Sequence, residues 1–246
     1  MMSDKFISEL HRVEEFNGMK AIADAVQIVV TGTIFKETPK DPRSLRLKEL
    51  LALLFKNVEV KPRNNAVTFK LVEPNNLTLT IFSTGKFIAN NVANIGDLVY
   101  VYKVIYQAVA EASSDEYVST AINHVTKNRR LLLNTLARNV YPLLVHPNEL
   151  IKYISIKNMV VNVAIEPHPD PAFVKPVVDK IRSNKQYGFT LKYRERFPAY
   201  IIQGKVGNKK INVLLFNNAN MVIANVPSIN DAIKIAKQIM TLAWQQ

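Results

Sequence analysis

The stretch Leu77 to Val92, LTLTIFSTGKFIANNV, is written a second time as Ile211 to Val226, INVLLFNNANMVIANV. In one constant register Phe82 falls on Phe216, Asn91 on Asn225 and Val92 on Val226. Ile81 meets Leu215, Phe87 meets Met221 and Ile88 meets Val222. Each copy reads as two short strands joined by a polar turn, STGK in one and NNAN in the other. The echo continues downstream, where Ile95, Asp97, Lys103 and Ile105 match Ile229, Asp231, Lys237 and Ile239. One supersecondary unit occurs twice, and the fold must be built from two of them.

A chain of 246 residues can bury a full core as one large domain or two small ones. An apolar share of 48% excludes a disordered chain. No run approaches the roughly 20 apolar residues that cross a bilayer as a helix, so no membrane partner is expected. Cysteine is absent, which excludes disulfides, thiolate nucleophiles and zinc–thiolate sites and leads us to expect a reducing, intracellular location. The N-terminus, MMSDKFISELHRVEEF, interleaves charge with Phe6, Leu10, Val13 and Phe16, and predicts an amphipathic helix within residues 1–22 rather than a signal peptide. Lys and Arg number 32 against 20 Asp and Glu, and the net charge of +12 points to a polyanionic partner.

Along the chain, a β-branched strand is expected around Val26 to Val30. Asp41–Pro42 predicts a helix start, a side-chain acceptor before a preset φ, and Leu47, Leu50, Leu51 and Leu54 share one face of that helix. Two short strands are predicted within 58–72, broken near Pro62 and Asn64–Asn65, then a turn at 73–76. The repeated hairpin comes next, and a long helix over 94–112. Residues 113–150 belong to neither copy and predict one or two helices, whose basic cluster of Lys127, Arg129, Arg130 and Arg138 is either a partner surface or the solvated face of a packed insertion. The second copy supplies a strand at 157–165, a helix after Asp170–Pro171, strands at 188–196 and 199–206, the hairpin at 211–226 and a helix at 229–244. The domain reading is an N-terminal helix 1–22, a first repeat 23–112, a helical insertion 113–150 and a second repeat 151–246. Each repeat is β-α-β-β-β-β-α, with its consecutive hairpin strands antiparallel and no crossover to place helices on both faces. The expected class is therefore α+β: two pseudo-symmetric repeats forming one curved antiparallel sheet of about ten strands, helices on the convex face and the concave face free.

Strand residues that alternate away from the helix-covered core must line that free face. They are apolar or carry amides: Val29, Ile88, Val160, Leu214 and Val222, with Gln27 and Asn158 among them. An exposed apolar sheet of this extent marks a binding surface. Basic residues flank it, among them Arg63, Lys86, Lys192, Arg194, Arg196, Lys205, Lys209 and Lys210. An apolar floor with amides and a basic rim suits the minor groove, where A·T pairs offer only acceptors.

The order, spacing and duplication of these segments resemble the core of the TATA-box-binding protein (TBP) family, over about residues 23–112 and 151–246. TIFSTGK (80–86) resembles that family's LIFSSGK, Glu73–Pro74 its IREP turn, ISIKNMV (154–160) its KIQNMV, and Arg196 to Pro198 its LFPG segment. The resemblance implies a saddle that binds double-stranded AT-rich promoter DNA in the minor groove and bends it with Phe wedges. The wedges would be Phe197 and Phe216 in the second repeat and Phe82 in the first, where Asn64 stands at the position of the fourth Phe. The family's two central Asn map to Gln27 and Asn158, and its Thr in each fifth strand to Asn90 and Ala224. The resemblance also implies a general transcription factor or polymerase subunits as partners, met at Glu195, although Arg194 and Arg196 make that loop more basic than the family's. The protein would act as a monomer on DNA. Its Lys-, Asn- and Ile-rich usage suits an AT-rich genome such as that of a large cytoplasmic DNA virus, which gives the nucleus or a viral factory as its expected location.

An enzyme is not expected. The four His, at 11, 124, 146 and 168, are scattered, the seven Gly form no phosphate-binding pattern, and no cofactor or metal is called for. The alternative to a DNA-bending factor is a protein-binding saddle in transcription that has lost DNA binding, which Asn64 would favour.

Overall fold

In the computed structural model the described residues are all but 1–9, 57, 62–64, 72–75, 170, 184–187, 193–196 and 243–246, and the side chains at 60, 61 and 171 are not described either. The first described element overturns the expected N-terminal helix. Strand β1 (His11–Phe16) turns through Asn17–Gly18 into β2 (Met19–Thr33), with Phe16 opposite Met19 and His11 opposite Asp24. Asn17 at φ 47 and Gly18 at φ 75 both take the left-handed backbone of a two-residue hairpin turn, which no helix can run through. Met19, Ala21 and Ala23 are buried at every second position, the strand period. Residues 1–9 of the predicted helix lie outside the described residues.

Two compact units divide the chain: Val29–Ile156, and Met1–Ile28 with Lys157–Gln246. In the first, α1 (Leu47–Leu54) is followed by β3 (Glu59–Lys61), β4 (Ala66–Lys70), β5 (Thr78–Phe82) and β6 (Lys86–Val92). These four strands pair antiparallel in sequence order, and β2 lies beside β6. Helix α1 begins at Leu47 and not at Pro42. Asp41 caps a turn instead, accepting from Arg43 N at 3.1 Å, and Arg46 at φ 48 breaks the path into the helix.

Helix α2 (Ile95–Ser113) is capped by Asn94, whose Oδ1 accepts from Gly96 N at 2.7 Å. Its buried face of Leu98, Tyr102, Ile105 and Val109 packs in this unit, where α2 lies on β6. The insertion forms α3 (Glu116–Ser119) and α4 (His124–Val140), then two 3₁₀ turns. It is tied down by polar contacts as well as apolar ones. Asn134, buried in α4, donates to the carbonyls of Ala112 at 2.9 Å and Ser114 at 2.8 Å. The Tyr102 hydroxyl donates to Val145 O at 2.6 Å, and burial pushes its pKa up. The hydrogen bond to Tyr141 pushes Tyr106 up to about 12.

The second unit holds β1, most of β2, most of β7 (Ile154–Glu166), α5 (Val174–Ser183), β8 (Thr190–Lys192), β9 (Ala199–Val206), β10 (Lys209–Phe216), β11 (Met221–Val226) and α6 (Ile229–Thr241). Its strand order is β7-β11-β10-β9-β8, antiparallel throughout. The N-terminal hairpin belongs here because β1 packs on α6. Arg12 donates to Asn230 Oδ1 at 2.6 Å, and Lys237 bonds Glu14. The repeat expected from the sequence is thus formed in each unit, and the fold is α+β. Among the described residues no helix is long and apolar enough to cross a membrane.

Candidate nucleic-acid interface

Within each unit the two faces of the sheet are chemically distinct, and strand alternation makes them so. On the helix side of the second unit lie Met159, Val161 and Val163 of β7, Val213 and Leu215 of β10, and Met221 and Ile223 of β11, none more than 3% exposed. Their neighbours point the other way and are not buried: Asn158, Val160, Asn162, Asn212, Leu214, Phe216, Val222 and Ala224. In the first unit Ile81, Phe87 and Ala89 are buried while Phe82, Ile88 and Asn90 are partly open, and Val29 is partly open beside buried Val30. Gln27 is exposed beside buried Ile28. Every floor residue named from the sequence therefore sits on an uncovered sheet face of its own unit.

Register fixes how the floor is tiled. In one row of the second unit Asn162 faces Val222, Val222 faces Leu214, Leu214 faces Ile201 and Ile201 faces Lys192. In the next row Val160 faces Ala224, Ala224 faces Asn212, Asn212 faces Gln203 and Gln203 faces Thr190. In the first unit Thr80 faces Ile88 on one side and buried Thr68 on the other, with the two hydroxyls 3.1 Å apart, and Lys70 faces Thr78, which faces Asn90.

The aromatic positions obey the same register. Phe216 pairs with Ala199, and Phe82 pairs with Ala66, so each ring stands beside a methyl that leaves it room. An open hollow of about 640 Å³ lies at Phe216, walled by Ala164, Pro198, Asn220 and Val222. Phe197, two residues before Ala199, borders a second hollow of about 260 Å³ with Leu191 and Tyr200. Two residues before Ala66 stands Asn64, the equivalent of Phe197, which lies outside the described residues. Arg63, Arg194, Glu195 and Arg196 lie outside them as well. Lys86, Lys192, Lys205, Lys209 and Lys210 are all exposed, and Lys209 Nζ donates to Lys157 O at 2.7 Å.

Two asparagines with left-handed backbone stand at matching positions, one in each repeat. Asn225, at φ 68 where the β7–β11 register shifts, donates to Lys210 O at 2.6 Å and accepts from Asn158 Nδ2 at 2.7 Å. Asn91, at φ 57, donates to Asn76 O at 3.3 Å. Asn158 is thereby fixed in direction with an N–H and its carbonyl oxygen left to meet a ligand.

Sequence reasoning passed over Asn162, Asn212, Gln203, Ile201 and Thr190 on the open face. Counting every second residue from Val160 and Leu214 finds the first two. The other three lie on strands whose register only the pairing reveals. Such a floor can stack, wedge and hydrogen-bond. Among the described residues no three His, Asp or Glu gather to hold a metal ion.

The strand order and helix placement within the units define the TBP-like fold. Among solved structures the chain is similar to Methanococcus jannaschii TBP, with a TM-score of 0.52 and 18% identity, over 90% of this chain and 98% of that one. The likeness shows the fold. No family model matches the sequence, and no curated protein matches it.

Proposed function

We propose that this protein is a TBP-like transcription initiation factor that binds AT-rich promoter DNA in the minor groove and bends it by inserting Phe82, Phe197 and Phe216. The observation that supports this reading best is the open sheet face. In both units an apolar and amide-bearing floor alternates with a fully buried one, and Phe82 and Phe216 stand at matching register beside an alanine. Apolar side chains suit the sugar edges and wedge positions of a minor groove, amides suit its acceptors, and exposed lysines suit its phosphates. Gln27 and Asn158 would donate to base edges, and Lys86, Lys192, Lys205, Lys209 and Lys210 would contact phosphates. The partners would be AT-rich duplex and a general transcription factor or polymerase subunits, met at Glu195, in the nucleus or a viral factory. The work asked of the protein is binding and bending, with no bond made or broken.

Competition gel shifts on AT-rich and GC-rich duplexes test the reading. The AT-rich duplex should bind more tightly, with log affinity falling by about 0.9 per phosphate contact for each log unit of salt. Equal binding to both, or no binding to either, would leave the protein-binding alternative standing in its place.

A further inference from the structure

The row of floor residues that runs from Val160 to Thr190 changes character halfway. Val160 and Ala224 are apolar, and then Asn212 and Gln203 bring two amides side by side. The amides are bonded to each other, Gln203 Nε2 to Asn212 Oδ1 at 2.6 Å, and Asn212 is exposed. Two carboxamides together hold four N–H donors and four acceptor lone pairs, and one bond between them consumes one of each. The pair therefore presents both donors and an acceptor to whatever lies on the floor, in an orientation that the mutual bond fixes. Its counterpart in the first repeat is different. Thr78 falls where Asn212 does and is paired across the strands with Lys70, a cation that bridges to Glu59 at 2.9 Å.

Resting on the DNA-binding reading above, we infer that the Asn212–Gln203 pair is a base-reading site that accepts one G·C pair within the otherwise A·T element. In the minor groove an A·T pair shows only acceptors, while G·C adds the guanine N2 amine, a donor. A floor of Val, Ala, Leu and Ile leaves that amine without a partner, which costs affinity. The amide pair has an acceptor to receive it and N–H groups for the flanking purine N3 or pyrimidine O2. The first repeat has Thr78 between Lys70 and Asn90 in place of the paired amides, so the bonded pair with its fixed acceptor and donors belongs to the second repeat and gives the bound element a polarity.

Inosine decides it, because inosine is guanine without the N2 amine. The full-length protein is titrated against an AT-rich duplex in which a single pair, walked along the site, is replaced by G·C or by I·C. At the position over the pair wild type should bind G·C about 3- to 10-fold more tightly than I·C, the effect of one hydrogen bond, and over the apolar Val222, Leu214 and Ile201 I·C should be the tighter. The double variant Asn212→Val, Gln203→Leu should lose the preference for guanine at that position. If no position prefers guanine over inosine in the wild type, or if the preference survives in the double variant, the inference is overturned while binding to the all-A·T duplex stands. Failure to bind any duplex overturns both the inference and the DNA reading beneath it.

Discussion

Phe216 beside Ala199 and Phe82 beside Ala66 are one arrangement made twice, and the difference between the repeats lies two residues away. There the second repeat has Phe197 and the first has Asn64. Each intercalated step costs a few kcal/mol of unstacking, which the wrapped duplex must return. An amide cannot supply the apolar contact of a stacked ring. Phe197→Ala and Phe216→Ala should therefore each lose more affinity and more bend than Phe82→Ala, and Asn64→Phe should add bend at the first-repeat end. A duplex carrying a fluorescence donor and acceptor at its ends reads this directly. Equal losses for Phe82→Ala and Phe197→Ala would dismiss the asymmetric wedge. The neighbouring residue Leu215 makes the contrast between faces. It is 0% exposed, and Leu215→Ala should lower stability to urea by about 2–5 kcal/mol. Leu214→Ser, on the open face, should cost about 1 kcal/mol or less and act on DNA binding instead.

At the scale of elements, the turn of the first repeated hairpin is built on a close approach. Gly85 has φ 77, and a Cβ there would stand 2.1 Å from a ring carbon of Phe35. Gly85→Ala should displace Phe35 and cost about 2 kcal/mol or more, read from the denaturation midpoint. The N-terminal hairpin offers a pH test. The hydrogen bond from Lys237 holds the Glu14 carboxyl below the usual range, with Arg12 adding to it. A lowered carboxylate stabilises the folded state above its unfolded pKa and loses that contribution as pH falls through the folded value. Wild type should therefore be more stable than Glu14→Gln by about 1 kcal/mol or less at pH 7, with the gap closing as pH drops through about 4 and below. That hairpin is also where the sequence misled. Phe6, Leu10, Val13 and Phe16 have helical spacing, but Asn17–Gly18 supplies two left-handed residues in a row, and local turn chemistry outweighs a weak apolar stripe. By contrast, the duplicated strands were legible because each alternates strictly. The start of α1 was not legible, since an Asp-Pro pair serves a turn as well as a helix cap, and Arg46 at φ 48 separates the two.

For the molecule as a whole the repeat was the strongest signal in the sequence, because it set the order of elements without any reliance on propensity. The open-face residues Val29, Ile88, Val160, Leu214 and Val222 followed from period two alone. Asn212 and Gln203 did not, because which residues lie beside each other depends on a register that only strand pairing fixes. The insertion shows the same limit. Its helices were expected, but the anchoring of α4 through Asn134 is a tertiary fact. Asn134→Leu leaves the Ala112 and Ser114 carbonyls without that donor and should cost about 1–3 kcal/mol in thermal unfolding. The functional reading rests on one proposition, that the uncovered sheet face holds and bends AT-rich DNA. It is met head-on by the end-to-end energy transfer of a labelled AT-rich duplex, titrated with wild type and with Leu214→Glu, whose folding is checked by its melting curve. Wild type should give a shortened, bent duplex. A folded Leu214→Glu should not bind, because a carboxylate on the floor faces the negative groove. A duplex that stays straight when saturated with wild type, or binding that survives Leu214→Glu, would contradict the proposition.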